Sequence, residues 1–133
     1  MGGGALVLTL LGAASAHAWT WASSTNPIVF TGGGGYGNVN FAGTRVTLQT
    51  WARDTRVGDG RVYAKVAISN SRGLFTNLTS GERSDGEPTY ARLKDQSTNV
   101  AYGTLPGNYR YQVRMCRSAT LQDPCSTDYR SYP

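Results

Sequence analysis

Hydrophobic and polar residues alternate with a period of two along most of this chain. Residues 61–69 show it most plainly, with Val62, Ala64, Val66 and Ile68 on one side and Arg61, Tyr63, Lys65 and Ala67 on the other. Residues 108–116 repeat it, setting Tyr109, Tyr111, Val113 and Met115 against Arg110, Gln112, Arg114 and Cys116. Residues 44–54 place Val46, Leu48 and Thr50 on one face, with a bulge or bend at Trp51. Shorter segments over 26–31, 38–42, 88–94, 98–104 and 127–132 complete the set. Successive side chains of a strand point to opposite faces, so each segment predicts a half-buried β-strand. The gaps between them are turn chemistry, as in Gly58-Asp59-Gly60, Ser84-Asp85-Gly86 and Pro106-Gly107-Asn108. No stretch carries a helical apolar stripe with caps, and there is no internal repeat. Seven or eight short strands predict an all-β fold, a single small β-sandwich.

The segment Leu105-Pro106-Gly107-Asn108-Tyr109-Arg110-Tyr111-Gln112-Val113 resembles the penultimate strand of immunoglobulin-like and fibronectin-like domains. The resemblance implies an immunoglobulin-like sandwich with a tyrosine packed at its corner. The chain departs from true immunoglobulins in its cysteines, which both fall late and leave no inter-sheet bridge.

Residues 5–18 break the alternation. An apolar run ends in Ala16-His17-Ala18, which has the form of a small-residue cleavage site, so residues 1–18 are expected to be a signal peptide. The opening Met1-Gly2-Gly3-Gly4 lacks the usual basic residues, and a buried apolar helix or strand is the competing reading. Cleavage would leave a secreted domain over 19–133 that begins at Trp19, with an N-terminal arm over 19–31. It would also remove His17, the only histidine. Catalysis by Ser-His-Asp or Cys-His sets, and zinc sites built on imidazole, are then excluded. No stretch of the mature chain is apolar enough for a membrane helix, so no membrane contact is expected after cleavage.

Cys116 and Cys125 are the only cysteines. In a secreted chain such a pair reads as one disulfide, closing a short loop. The net charge is +5, carried mostly by arginine. These charges are scattered and form no block or stripe, so nucleic acid is not an expected partner.

The remaining route to catalysis is carboxylates, and no paired signature is evident. Glu82, Asp85 and Glu87 lie in a polar loop. Calcium there, or around Asp54 and Asp59, lacks EF-hand spacing. No enzyme activity, cofactor or metal is expected. Gly32-Gly33-Gly34-Gly35 lacks the Lys-Ser/Thr and helix of a phosphate loop, and reads as a linker or a loop that orders on binding. Asn77-Leu78-Thr79 matches the N-glycosylation acceptor pattern.

The chain has 3 tryptophans and 8 tyrosines against 3 phenylalanines. Trp19 and Trp21 lie two apart at the expected mature N-terminus, on one strand face, followed by the tract that holds Ile28 and Phe30. They dock either on the domain itself or on a partner. An arm inserting these side chains into another extracellular protein by β-augmentation is the leading functional expectation. The second candidate surface is the loop 117–124 between the cysteines. It would present Leu121 on a stiffened segment, as inhibitors of secreted hydrolases do. The third is a glycan stacked on Trp51 or surface tyrosines. In outline the chain is similar to the small secreted adaptors of actinobacterial umbrella toxin particles. The likeness lies in size, export signal, all-β pattern and N-terminal arm. It implies a bridging role between protein subunits and assigns no residue roles.

Overall fold

The computed structural model describes residues 16–100, 108–119 and 121–133. Ten strands occur among them: β1 (Ala16–Ala22), β2 (Ile28–Phe30), β3 (Gly33–Ala42), β4 (Arg45–Asp54), β5 (Val62–Ser69), β6 (Phe75–Thr79), β7 (Ala91–Arg92), β8 (Gln96–Asn99), β9 (Arg110–Arg117) and β10 (Arg130–Tyr132). All pair antiparallel and form two sheets. In the first, β3 and β4 form the centre, β1 and β2 share the outer edge of β3, and β7 and β8 share that of β4. The second runs β10-β9-β5-β6. The protein is a small β-sandwich.

The core is the set of inward positions that the alternation marks. Val62, Ala64, Val66 and Ile68 of β5 and Tyr109, Tyr111, Val113 and Met115 of or beside β9 are all buried, as are Val46, Leu48 and Thr50 of β4. Each strand thus sends one apolar row inward, and the two rows meet between sheets. No helix long and apolar enough to cross a membrane occurs among the described residues.

Three features differ from the sequence reading. The β3–β4 register is unbroken from Ala42↔Arg45 to Gly33↔Asp54, so Trp51 marks no bulge; the irregularity falls in β1, between Thr20 and Ala22. β6 is an additional strand. It alternates too weakly to be read, since only Leu78 of its five residues is buried. Finally, Gly33–Gly35 are not a linker but the start of β3. Close approach explains them: a Cβ on Gly35 would lie 2.5 Å from the Met115 thioether, and one on Gly37 would run into the Gln49 carbonyl. Tyr102 and residues 105–107 of the immunoglobulin-like segment lie outside the described residues.

Candidate functional site

One end of the sandwich gathers four connections. β3 begins there and β4 ends there (Gly33↔Asp54); β5 begins there and β9 ends there (Val62↔Arg117). The Thr31-Gly32 turn and the loops 55–61, 80–90 and 118–124 therefore meet. Backbone bonds join them: Asp54 N–H donates to Glu87 O (2.8 Å), Arg83 N–H to Val62 O (2.8 Å) and Ser118 N–H to Arg61 O (2.9 Å).

Arg117 is the hub of this end and is only 4 % exposed. Its Nη1 donates to Asp59 Oδ1 (2.9 Å), to the Gly60 carbonyl (3.2 Å) and to Asp54 Oδ1 (3.4 Å), and its Nη2 donates to the Thr31 carbonyl (3.1 Å). The guanidinium also lies 5.7 Å from the centre of the Phe30 ring. A planar fork with five N–H donors suits this many acceptors in one place. Asp54 is fully buried, and its Oδ1 also accepts from the Arg56 amide (3.0 Å). Carboxylate oxygens of Asp54, Asp59 and Asp85 lie within 4.8 Å of one another. Arg117 supplies positive charge to two of the three.

The loop 118–124 is pinned from three sides. Cys116 and Cys125 form a disulfide. Arg117 N–H donates to Pro124 O (2.9 Å). Asp123 accepts from the Tyr63 hydroxyl (2.5 Å) and the Ala119 amide (2.8 Å). The Tyr63 bond, and then the Ala119 bond, hold the Asp123 carboxyl below its ordinary range, while burial and the bond to Asp123 push the Tyr63 phenol well above its own. Closing about ten residues with a disulfide contributes roughly 2–3 kcal/mol on the chain-entropy estimate. Changing Cys116 and Cys125 to Ser is expected to lower stability by about that amount in urea denaturation, with the far-ultraviolet spectrum unchanged, because Cys116, though fully buried, lies outside the central apolar cluster.

The pinned loops leave two large apolar side chains in solvent, Leu121 at 98 % and Val57 at 81 % exposure. Between their loops runs an open groove of about 490 Å³, lined by Gly58, Asp59, Gly60, Ser118 and Ala119. The structure thus puts Leu121 where the sequence reading expects it. Val57 was missed because a lone valine in a Gly-Asp-rich loop has no pattern to mark it.

The N-terminal candidates are placed otherwise. The arm is not a separate segment: β1 pairs with β3 from Ala16↔Ala42 to Ala22↔Gly37, and β2 pairs with Gly33–Gly35. Trp21 is 2 % exposed and Ile28 fully buried, both in the core. Trp19 packs against Tyr132 at 5.3 Å between ring centres, and Phe30 lies partly buried by Arg117. Trp21 is buried in the sandwich, and Trp19, at the edge of the same sheet, is partly buried. β1 also includes His17, whose ring stacks on Phe41 and whose Nε2 lies 3.2 Å from the Tyr132 hydroxyl.

On the outer face of the first sheet, Tyr36 and Trp51 are cross-strand partners with rings parallel to within 2° and centres 5.6 Å apart. Arg92, opposite Trp51 on the other flanking strand, lies over the indole at 5.2 Å, and Arg53 lies over Tyr90 at 4.9 Å. Tyr36 and Arg92 thus flank Trp51, which stays partly exposed.

No family model matches the chain, and neither does a curated protein or a solved structure.

Proposed function

We propose that this protein is an exported, non-catalytic protein-binding module of the adaptor kind, which engages another secreted protein with its loop end. The supporting observation is Leu121, almost wholly exposed on a loop held by a disulfide, by Tyr63 and by the Arg117 amide, with Val57 exposed across the groove. Loops fixed before contact lose little entropy on binding, so apolar anchors on them contribute fully. The disulfide agrees with an oxidising compartment. Cleavage after Ala18 would still leave Trp19 and Trp21 in β1.

The test is capture from the source culture supernatant on the immobilised protein. A stoichiometric protein partner is expected. Leu121→Asp together with Val57→Asp is expected to weaken its capture about thirtyfold or more, the scale of one anchor worth about 2 kcal/mol, and to leave the melting temperature within a few degrees. If the captured partner is an active hydrolase that the protein silences, the loop 117–124 acts as an inhibitor. Retention on polysaccharide alone, or capture indifferent to both substitutions, overturns the reading.

A further inference from the structure

On the outward side of the second sheet, Tyr63 and Cys116 hold the loop 118–124 at one end, and the strand residues beyond them carry charge of one sign. β5, β6 and β9 contain no acidic residue. Their register lays two rows across the face. Phe75, Ser69 and Arg110 form one; Thr79, Lys65 and Arg114 form the other, four residues along, which is about 13 Å. Arg72 stands exposed in the turn between β5 and β6. None of Lys65, Arg72, Arg110 and Arg114 forms an ion pair among the described residues. Arg114 is held in place by the Tyr129 ring at 4.7 Å and by the Ser126 carbonyl at 3.2 Å, so its charge is fixed on the face. Asp123, at the loop end of this face, accepts from Tyr63, and Asp128 pairs with Arg130. On the same face, at its edge, Phe75 is 67 % exposed.

Unpaired cations spread over a flat face call for an anionic ligand that is itself flat or extended. A soluble polyanion would pair the cations and leave the phenyl ring in water. A bilayer satisfies both, with headgroup phosphates for the cations and the acyl boundary for the ring. We infer that this face docks on membranes bearing anionic phospholipid headgroups, with Lys65, Arg72, Arg110 and Arg114 over the headgroups and Phe75 inserted between them. The loop end then points along the membrane surface and stays free for a protein partner.

The test is co-sedimentation of the full protein with vesicles of phosphatidylglycerol and phosphatidylcholine, and with phosphatidylcholine alone. Binding is expected only to the anionic vesicles and should weaken steeply as salt rises. Each cation near such a surface is worth about fivefold in partitioning, so Lys65→Gln with Arg110→Gln should lower it about twenty-five-fold. Phe75→Ser should lower it about tenfold further, the scale of burying one phenyl ring. These positions face solvent, and an unchanged melting temperature shows that the variants are folded. Leu121→Asp should not alter vesicle binding, which keeps this test separate from that of the loop end. Absence of binding to anionic vesicles, or equal binding to neutral ones, overturns the inference. So does binding to inorganic polyphosphate in solution as tight as to vesicles and indifferent to Phe75→Ser, which would make the ligand an anionic polymer. Capture of an acidic protein on this face without vesicle binding also overturns it.

Discussion

Trp21→Ala is expected to cost about 3–5 kcal/mol of stability, a large part of the 5–15 kcal/mol available to a domain of this kind. Trp21 is 2 % exposed and belongs to the central core cluster. Its ring lies against the strand next door so closely that a Cβ on Gly37 would stand 3.0 Å from Trp21 Cζ2. Removing the indole leaves a cavity that this glycine cannot fill. Trp19→Ala should cost clearly less, because Trp19 is only partly buried, against Tyr132. Urea denaturation followed by circular dichroism measures both. A Trp21→Ala protein as stable as the parent would restore a detachable arm, and with it the expectation that these tryptophans serve a partner rather than the core.

What the sequence made legible is the part of the fold governed by period two. Val62 to Ile68 and Tyr109 to Met115 fall inward because side chains alternate, and nothing elsewhere in the chain can reverse that once the face is buried. The same rule also held information about the site. Counting in twos from Val46 reaches Asp54, and from Tyr111 reaches Arg117, so a carboxylate and a guanidinium fall on the core side where β4 and β9 end. Opposite charges at inward positions of two strands are a readable signal of a buried pair, though the chain does not say that the strands end together. The tryptophans were misplaced for a different reason. Position near a terminus suggests freedom, but β1 is tied by its register to β3. The glycine run hid in the same way. Flexibility is the property of glycine in an unfolded chain, while here it allows Met115 and the β4 backbone to approach β3. Leu121 was legible because a pair of late cysteines and a short polar loop nearly specify a pinned turn, and the apex of such a turn faces solvent.

Arg117→Met should be the most damaging single change at the loop end, costing about 3–5 kcal/mol, because it leaves Asp54 fully buried without its counter-charge. It also frees the carbonyls of Thr31 and Gly60 that the guanidinium satisfies, which loosens two of the four connections gathered there. The expected signature is twofold. Stability falls, and amide exchange rises over residues 55–61 and 118–119 more than in β5 or β9. Arg117→Lys should recover only part of the loss, since a single ammonium nitrogen on a shorter side chain does not span Asp54, Asp59 and two carbonyls at once. The decisive comparison is Arg117→Met with Asp54→Leu. Removing both charges should restore much of what Arg117→Met alone loses, because an apolar pair of similar volume tolerates burial where a lone carboxylate does not. If the double variant is no more stable than the single one, the pair is not coupled, and the loop end is held instead by the disulfide and by Tyr63. Partner capture separates the roles further: the double variant should keep its fold yet bind weakly, because Asp59 and the Gly58–Gly60 segment lose the bonds that fix the groove beside Leu121.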